Sequence, residues 1–129
     1  MLRLAEFILN NYSGKVVEVG IGNHTKIAEF LAERGLEVVA TDVIERGTKV
    51  DFFVDDIQNP NLRIYEGAEL IYSIRPPPEI FNAIISLAKR IDADCIIKPL
   101  YGEHPGGGEL INYKGLAFYL WRWRSNEDR

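Results

Sequence analysis

The stretch that most constrains this chain is an apolar strand that breaks into glycines and then into a helix. Residues 15–19, KVVEV, are followed by Gly20, Ile21 and Gly22, and then by the helical pattern KIAEFLAERG over residues 26–35. A second apolar run, LEVVAT, occupies residues 36–41. The order strand, helix, strand over residues 15–41 predicts a βαβ unit, which requires a parallel sheet and a right-handed crossover.

The rest of the pattern extends this unit into an α/β fold. Leu2, Ala5, Leu9 and Tyr12 recur at helical spacing, and they predict an opening helix. Further strands are predicted in DFFVDDI, in residues 69–74 and in DCIIKPL, and a helix is predicted to start at Pro78. We expect a three-layer, Rossmann-like, mostly parallel sheet.

Two features distinguish this sheet from a regular one. The segments after the second and third strands, VIERGTKV and QNPNLRIYEGA, are too short or too interrupted for full helices, so the helices there are predicted to be reduced. At the other end, LINY, the turn pair Lys114 and Gly115, and LAFYLWRW predict an antiparallel hairpin that closes the sheet.

Length and charge limit the organisation and the partners. A chain of 129 residues predicts a single Rossmann-like domain over residues 1–129. A net charge of -4 does not favour a nucleic-acid partner, and no apolar run approaches the roughly 20 residues of a membrane span. The lone Cys95 cannot form an internal disulfide, and the N-terminus does not resemble a signal peptide, so we expect a cytoplasmic protein. The histidines and carboxylates show no metal-ligand spacing, and no metal site is predicted.

The glycine turn predicts a ligand site at the carboxyl edge of the sheet. Gly20 and Gly22 allow a sharp turn and a close approach of a ligand to the backbone, and the following helix directs its free N–H groups to the same point. Asp42 follows the second strand about twenty residues later, where a carboxylate can accept hydrogen bonds from ribose hydroxyls. These residues predict a nucleoside-containing ligand.

Carboxylates at this edge favour a ligand that carries positive charge. We expect Glu18, Asp42, Asp55 and Asp56 to cluster at one rim, which would disfavour a pyrophosphate. Thr25 stands at the third glycine position of the dinucleotide fingerprint, so that pattern is broken. S-adenosylmethionine has a sulfonium, an ammonium and a ribose, and it suits such a rim better.

The motifs VVEVGIG and LEVVATD make the chain similar to class I, Rossmann-like methyltransferases. The resemblance implies that Gly20 and Gly22 pass beside the methionine part of S-adenosylmethionine, that Asp42 takes the ribose, and that Asp55 or Asp56 approaches the adenine. The length and the segment IYSIRPPPE also resemble a small uncharacterised archaeal family of compact Rossmann-like domains. His24 stands where the methyltransferase pattern often has a third glycine.

The sequence does not assign a catalytic residue. Lys98, Tyr101, Glu103 and His104 are able to transfer protons and lie on a glycine-rich loop beside the expected cleft, and Arg75 could bind an anionic group of a substrate. Composition alone gives none of them a role.

The C-terminal strand suggests an association. Trp121 and Trp123 fall on one face of it, and they require cover from a helix of the same chain or from a partner. Because the reduced helices leave little covering surface, we expect a weak homodimer through this edge.

The function predicted from these features is the binding of S-adenosylmethionine or a related adenosine compound, with methyl transfer as the reaction class. Two alternatives remain open: an interaction domain that has kept the fold and lost the cofactor, and a nucleotide- or NAD-binding module.

Overall fold

The computed structural model describes residues 1–125 and contains a seven-stranded sheet in the order β3-β2-β1-β4-β5-β7-β6. The strands are β1 (Lys15–Val19), β2 (Glu37–Asp42), β3 (Asp51–Val54), β4 (Leu70–Ile74), β5 (Asp94–Lys98), β6 (Glu109–Tyr113) and β7 (Leu116–Trp121). The helices are α1 (Leu2–Asn11), α2 (Lys26–Glu33), α3 (Leu62–Tyr65) and α4 (Phe81–Arg90), the last preceded by a 3-10 turn at Pro78–Ile80. The first five strands are parallel, and β7 is antiparallel to β5 and to β6. The prediction of a Rossmann-like sheet with an antiparallel hairpin is confirmed.

Helices cover the two faces of the sheet in pairs, because alternate residues of each strand face opposite sides. Val16, Val38, Leu70 and Ile96 face α1 and α2 in one hydrophobic cluster. Val17, Val39, Ile71 and Ile97 face α3 and α4 in the other. The buried strands therefore read as continuous apolar runs, as parallel strands covered on both faces should.

The hairpin turns as its sequence predicts. Lys114 and Gly115 both have positive φ, 51° and 87°, which is the geometry of a two-residue turn that matches the twist of the strands. The hairpin also holds α1: Arg3 Nη1 donates to the carbonyl of Lys114 (2.7 Å), and Phe7 packs edge-on against Phe118. The first and the last elements of the sheet domain therefore support each other.

Helices are reduced after β2 and β3, as predicted. Residues 43–50 contain no helix, and α3 is a single turn of four residues. Several apolar side chains at this end of the sheet are consequently exposed: Val43, Ile44, Phe53 and Val54.

The opening helix predicted from the sequence is present as α1. Leu4, Ala5 and Ile8 are buried, whereas Leu2 is 63% exposed. Leu2 is the first residue of the helix and lines the cleft instead.

The tryptophans of the C-terminal segment are covered by the chain itself. Trp121 is only 7% exposed, and the glycine-rich loop lies on its indole: a Cβ added to Gly108 would stand 2.7 Å from Trp121 Cε2. Trp123 is half-buried beside α4, with the Lys89 amine 5.0 Å from its ring centre. Of the two kinds of cover expected for these indoles, the same chain supplies one, through the glycine-rich loop and α4, and the weak homodimer stays a prediction.

Candidate functional site

The turn after β1 has the backbone that the glycines predict. Gly20 and Gly22 have φ values of 70° and 59°, in the left-handed region that favours glycine. The N–H groups of Gly20 and Ile21 both donate to the carbonyl of Thr41 (2.9 and 3.1 Å), which fixes the turn against the end of β2. A Cβ at Gly22 would meet no atom within 4 Å, so this side of the turn is open.

A cleft of about 770 Å³ opens beside this turn. Its volume is within the range of roughly 300–1,000 Å³ that is typical of small-molecule sites. It is lined by the start of α1, the end of β1, the glycine turn, the start of α2 and the end of β4, that is, by Met1, Leu2, Glu18, residues 20–27, Ile74 and Arg75. The cleft therefore lies outside the carboxyl ends of β1 and β4, where ligands bind in open parallel sheets.

Glu18 forms a buried wall of the cleft. Its residue surface is 2% exposed, and its Oε1 accepts a hydrogen bond from the hydroxyl of Tyr72 (2.8 Å), which lies opposite it on β4. Burial raises the pKa of Glu18 to about 8, and the Tyr72 hydrogen bond opposes this rise only in part. Near neutral pH the side chain is mostly a neutral acid, and a cation placed beside it would favour its ionised form.

Asp42 lies next to the glycine turn, but its carboxylate is occupied. Oδ2 accepts from Gly22 N–H (2.7 Å) and from Arg46 Nε (3.2 Å), and Oδ1 accepts from Val43 N–H (2.7 Å). Arg46 Nη1 also donates to Asn23 Oδ1 (3.2 Å). Asp42 therefore joins β2 to the glycine turn, and Arg46 closes the outer side of that junction.

Asp55 and Asp56 are engaged elsewhere. Asp55 accepts from Asn61 N–H (3.0 Å) and from the hydroxyl of Tyr65 (2.6 Å), and Asp56 accepts from Gln58 N–H (2.9 Å). Neither lines the cleft. Both carboxylates therefore shape the loop that replaces a full helix after β3.

The six predicted site residues fall into two groups. Glu18, Gly20 and Gly22 line the cleft, whereas the three aspartates lie at the same edge of the sheet outside its lining. Asp42 is bonded to the back of the glycine turn, and Asp55 and Asp56 are bonded within the loop after β3. The expected rim of four carboxylates around one ligand is not formed in this conformation. The side chains that bring positive charge to the cleft beside Glu18 are Lys26 and Arg75, because the start of α2 and the end of β4 form its walls.

The glycine-rich loop after β5 does not supply cleft residues. Tyr101 is fully exposed, and His104 Nδ1 lies 2.9 Å from the hydroxyl of Tyr119 on β7. Cys95 is buried, and burial raises the pKa of its thiol, so it is a core residue rather than a nucleophile.

Two residues of the site were missed from the sequence. Tyr72 pairs in register with Glu18, and its place could be inferred from the order of parallel strands that a Rossmann-like sheet prescribes. Arg46 lies in an irregular loop, where a spacing of four residues from Asp42 carries no signal.

Residues 1–125 contain no group of three or more His, Cys, Asp or Glu side chains placed to hold a metal ion. Over the same residues, no helix has the length and apolar character needed to cross a membrane.

Solved structures with a similar fold include S-adenosylmethionine-dependent methyltransferases. Magnesium protoporphyrin IX methyltransferase from Synechocystis PCC 6803, solved with bound S-adenosylmethionine, aligns with a TM-score of 0.60 and 14% identity over 91% of this chain and 74% of that one. A 1,6-didemethyltoxoflavin-N1-methyltransferase from Burkholderia thailandensis, solved with bound S-adenosylhomocysteine, aligns with a TM-score of 0.53 and 17% identity over 98% of this chain and 62% of that one. At these identities the likeness establishes the fold.

Sequence relatives come from archaea. A UPF0146 protein of Archaeoglobus fulgidus is 57% identical over 99% of this chain and 98% of its own length. Another from Methanocaldococcus jannaschii is 35% identical over 91% of this chain and 90% of its own. Residues 1–123 match the family described as uncharacterised protein family UPF0146, and the chain therefore belongs to that family.

Proposed function

We propose that this protein binds S-adenosylmethionine or a related adenosine compound at the glycine turn after β1. The observation that carries the proposal is the cleft itself, in which two left-handed glycines, the start of α2 and the buried Glu18 meet at the carboxyl edge of the sheet. The methyltransferases of similar fold, two of them solved with such ligands, support the same ligand class.

The residues of the cleft suit the chemical groups of this ligand. Glu18 Oε1 accepts from Tyr72, and no described residue donates to Oε2, which remains available to an ammonium group. Lys26 and Arg75 offer cations to a carboxylate, and neither side chain forms a hydrogen bond or ion pair within residues 1–125, although the Arg75 backbone N–H donates to Lys98. Gly20 leaves space for a close approach, since a Cβ there would meet only Ser73 Oγ, at 4.0 Å. The proposed ribose ligand is Asp42, with Asp55 and Asp56 on the adenine side.

Methyl transfer is the reaction class that we propose for this site. S-adenosylmethionine, when bound, supplies a methyl group on a sulfonium. The chain's own contribution would be to hold the methionine part at the glycine turn and to leave the side of the cleft next to Ile74 and Arg75 open to an acceptor. No acid or base is assigned, because Lys98, Tyr101, Glu103 and His104 do not line the cleft.

Calorimetric titration with S-adenosylmethionine, S-adenosylhomocysteine and NAD tests the proposal. Binding of the first two ligands, and loss of that binding in Gly22→Val, would support the proposal. A branched side chain is strained at a left-handed backbone position, so it would change the conformation of the turn. Gly67→Val is the matched control: it also has a positive φ, 79°, and open space, and it lies at the opposite edge of the sheet. Binding of NAD alone would favour a dinucleotide module instead.

One observation favours an interaction domain as the second candidate. Val43, Ile44, Phe53 and Val54 are all about half exposed or more, at the edge of the sheet that lacks full helices. An exposed apolar edge is typical of a protein contact. If the folded protein binds none of the three ligands in the titration, this candidate is favoured.

The proposed ligand and the free thiol of Cys95 fit a reducing compartment, and we propose the cytoplasm as the location.

A further inference from the structure

We infer that Arg46 is an internal competitor for the ribose site: its guanidinium occupies Asp42 in the free protein and must leave before a ribose can dock. The inference rests on the proposed function, and it adds a residue that controls access to the adenosine half of the site. In the free protein the glycine turn is open to the cleft, while the Asp42 carboxylate is covered by Arg46.

The hydrogen bonds at Asp42 show which partner is replaceable. The N–H groups of Gly22 and Val43 each donate at 2.7 Å, and both belong to backbone that the turn and the strand hold in place. Arg46 Nε donates at 3.2 Å from a side chain that is 25% exposed. A long side chain at the surface gives up its contact more easily than fixed backbone does, so Arg46 is the partner that a ribose hydroxyl would displace.

The same guanidinium closes the gap between two loops. Arg46 Nη1 donates to Asn23 Oδ1 (3.2 Å), which links the loop after β2 to the turn after β1. Asn23 lines the open cleft, and Arg46 and Asp42 do not. Arg46 therefore stands at the boundary between the accessible and the covered half of the site.

The loop is built so that Arg46 can move without unfolding its neighbours. Residues 43–50 form no helix, and their far end is fixed to α2 by Glu29, which accepts from the hydroxyl of Thr48 (3.1 Å) and from Lys49 N–H (3.0 Å). The segment between Val43 and Gly47 has no such tie other than the contacts of Asp42 and Arg46. Release of Arg46 would free this short segment and leave the sheet intact.

Titration of S-adenosylhomocysteine into wild type and Arg46→Ala tests the inference. Removal of the competitor should tighten binding about fivefold, the upper value for a partly exposed ion pair. Arg46→Met, which keeps the apolar stem, should behave alike and guards against a folding defect in the alanine variant. Arg63→Ala is the matched control: it removes the same charge from the exposed α3 and should change affinity by no more than about twofold.

A double-mutant comparison tests whether Arg46 affects ligand affinity through Asp42. In an Asp42→Ala background, Arg46→Ala should no longer tighten binding, because nothing remains for the guanidinium to cover. Unchanged or weaker binding by folded Arg46→Ala, or tightening that persists without Asp42, would overturn the inference while leaving the ligand class standing. Loss of NADP⁺ binding in Arg46→Ala, with S-adenosylhomocysteine unaffected, would overturn it in favour of a phosphate ligand. If no variant binds an adenosyl compound, the proposed function and this inference both fall.

Discussion

Replacement of Glu18 by glutamine should make the stability of this protein less sensitive to pH. In the folded chain, burial raises the pKa of the Glu18 carboxyl to about 8, whereas in the unfolded chain it returns to its ordinary value near 4.5. Between these two pH values the unfolded chain has released the proton and the folded chain retains it. The contribution of Glu18 to the free energy of unfolding is therefore fully present below about pH 4.5, and it is lost as the pH rises to about 8.

The magnitude follows from the size of the pKa shift. Each pH unit between the two pKa values lowers the free energy of unfolding by about 1.4 kcal/mol, so the whole interval lowers it by roughly 4–5 kcal/mol. Glutamine keeps an oxygen that can accept from the hydroxyl of Tyr72, and it carries no charge to bury. Glu18→Gln should therefore match wild type near pH 4.5 and exceed it by several kcal/mol at pH 8.5.

Urea unfolding of both proteins across this pH range measures the difference directly. Other titrating groups cancel in the comparison, because they are common to both chains. Glu37→Gln, an exposed carboxyl on the neighbouring β2, provides the control and should give a difference that does not change with pH. A flat difference for Glu18→Gln as well would refute the reasoning, because it would mean that the buried carboxyl is ionised in the folded protein at no cost.

Three further outcomes are expected. Binding of the cationic S-adenosylmethionine at pH 7 should release about one proton, because it favours ionisation of Glu18. Calorimetry in buffers of different ionisation enthalpy measures this release, and a binding enthalpy that is the same in all buffers would contradict it. Asp42→Ala should weaken binding of S-adenosylhomocysteine about ten- to a hundredfold, as measured by calorimetric titration. Asp51→Ala makes the same charge change at the first residue of β3 and should leave the affinity unchanged. Equal losses of affinity in the two variants would remove Asp42 from the site. Gly108→Ala should lower the free energy of chemical unfolding by roughly 2–4 kcal/mol, because its new Cβ meets the indole of Trp121. Gly106→Ala, with a similar φ and no atom near its Cβ, should lower it by about 1 kcal/mol. Equal losses would show that the contact with Trp121 is not tight.

The sequence predicts the sheet well because its signals are local. The βαβ unit depends on residues 15–41 alone, and the hairpin depends on the pair Lys114 and Gly115 between two apolar runs. The reduced helices after β2 and β3 are equally visible, since a segment too short for a helix remains too short in any fold.

The site is less predictable because its contacts are not local. The hydrogen bond from Tyr72 to Glu18 joins residues 54 apart, and whether Asp42 faces a ligand or a neighbouring arginine depends on the path of an irregular loop. The cover of Trp121 likewise comes from a glycine loop whose path no periodicity encodes. Patterns of apolar residues determine which faces are buried, but not which polar side chains satisfy one another.

The attachment of α1 to the hairpin joins the two ends of the described chain beside one wall of the cleft. Met1 and Leu2 line the cleft, and the rest of α1 is bonded to residues more than a hundred positions away. Arg3 donates to the Lys114 carbonyl and Asn10 to the Tyr113 hydroxyl, and Glu6 accepts from Tyr113 and Lys114. Closing so long a segment is slow, since its entropy is lost before the contacts form. The hairpin therefore adds the long-range part of this support late, while α2 and the sheet core hold the buried face of α1. A ligand that contacts Met1 or Leu2 should bind the complete fold more tightly than a chain that lacks β6 and β7.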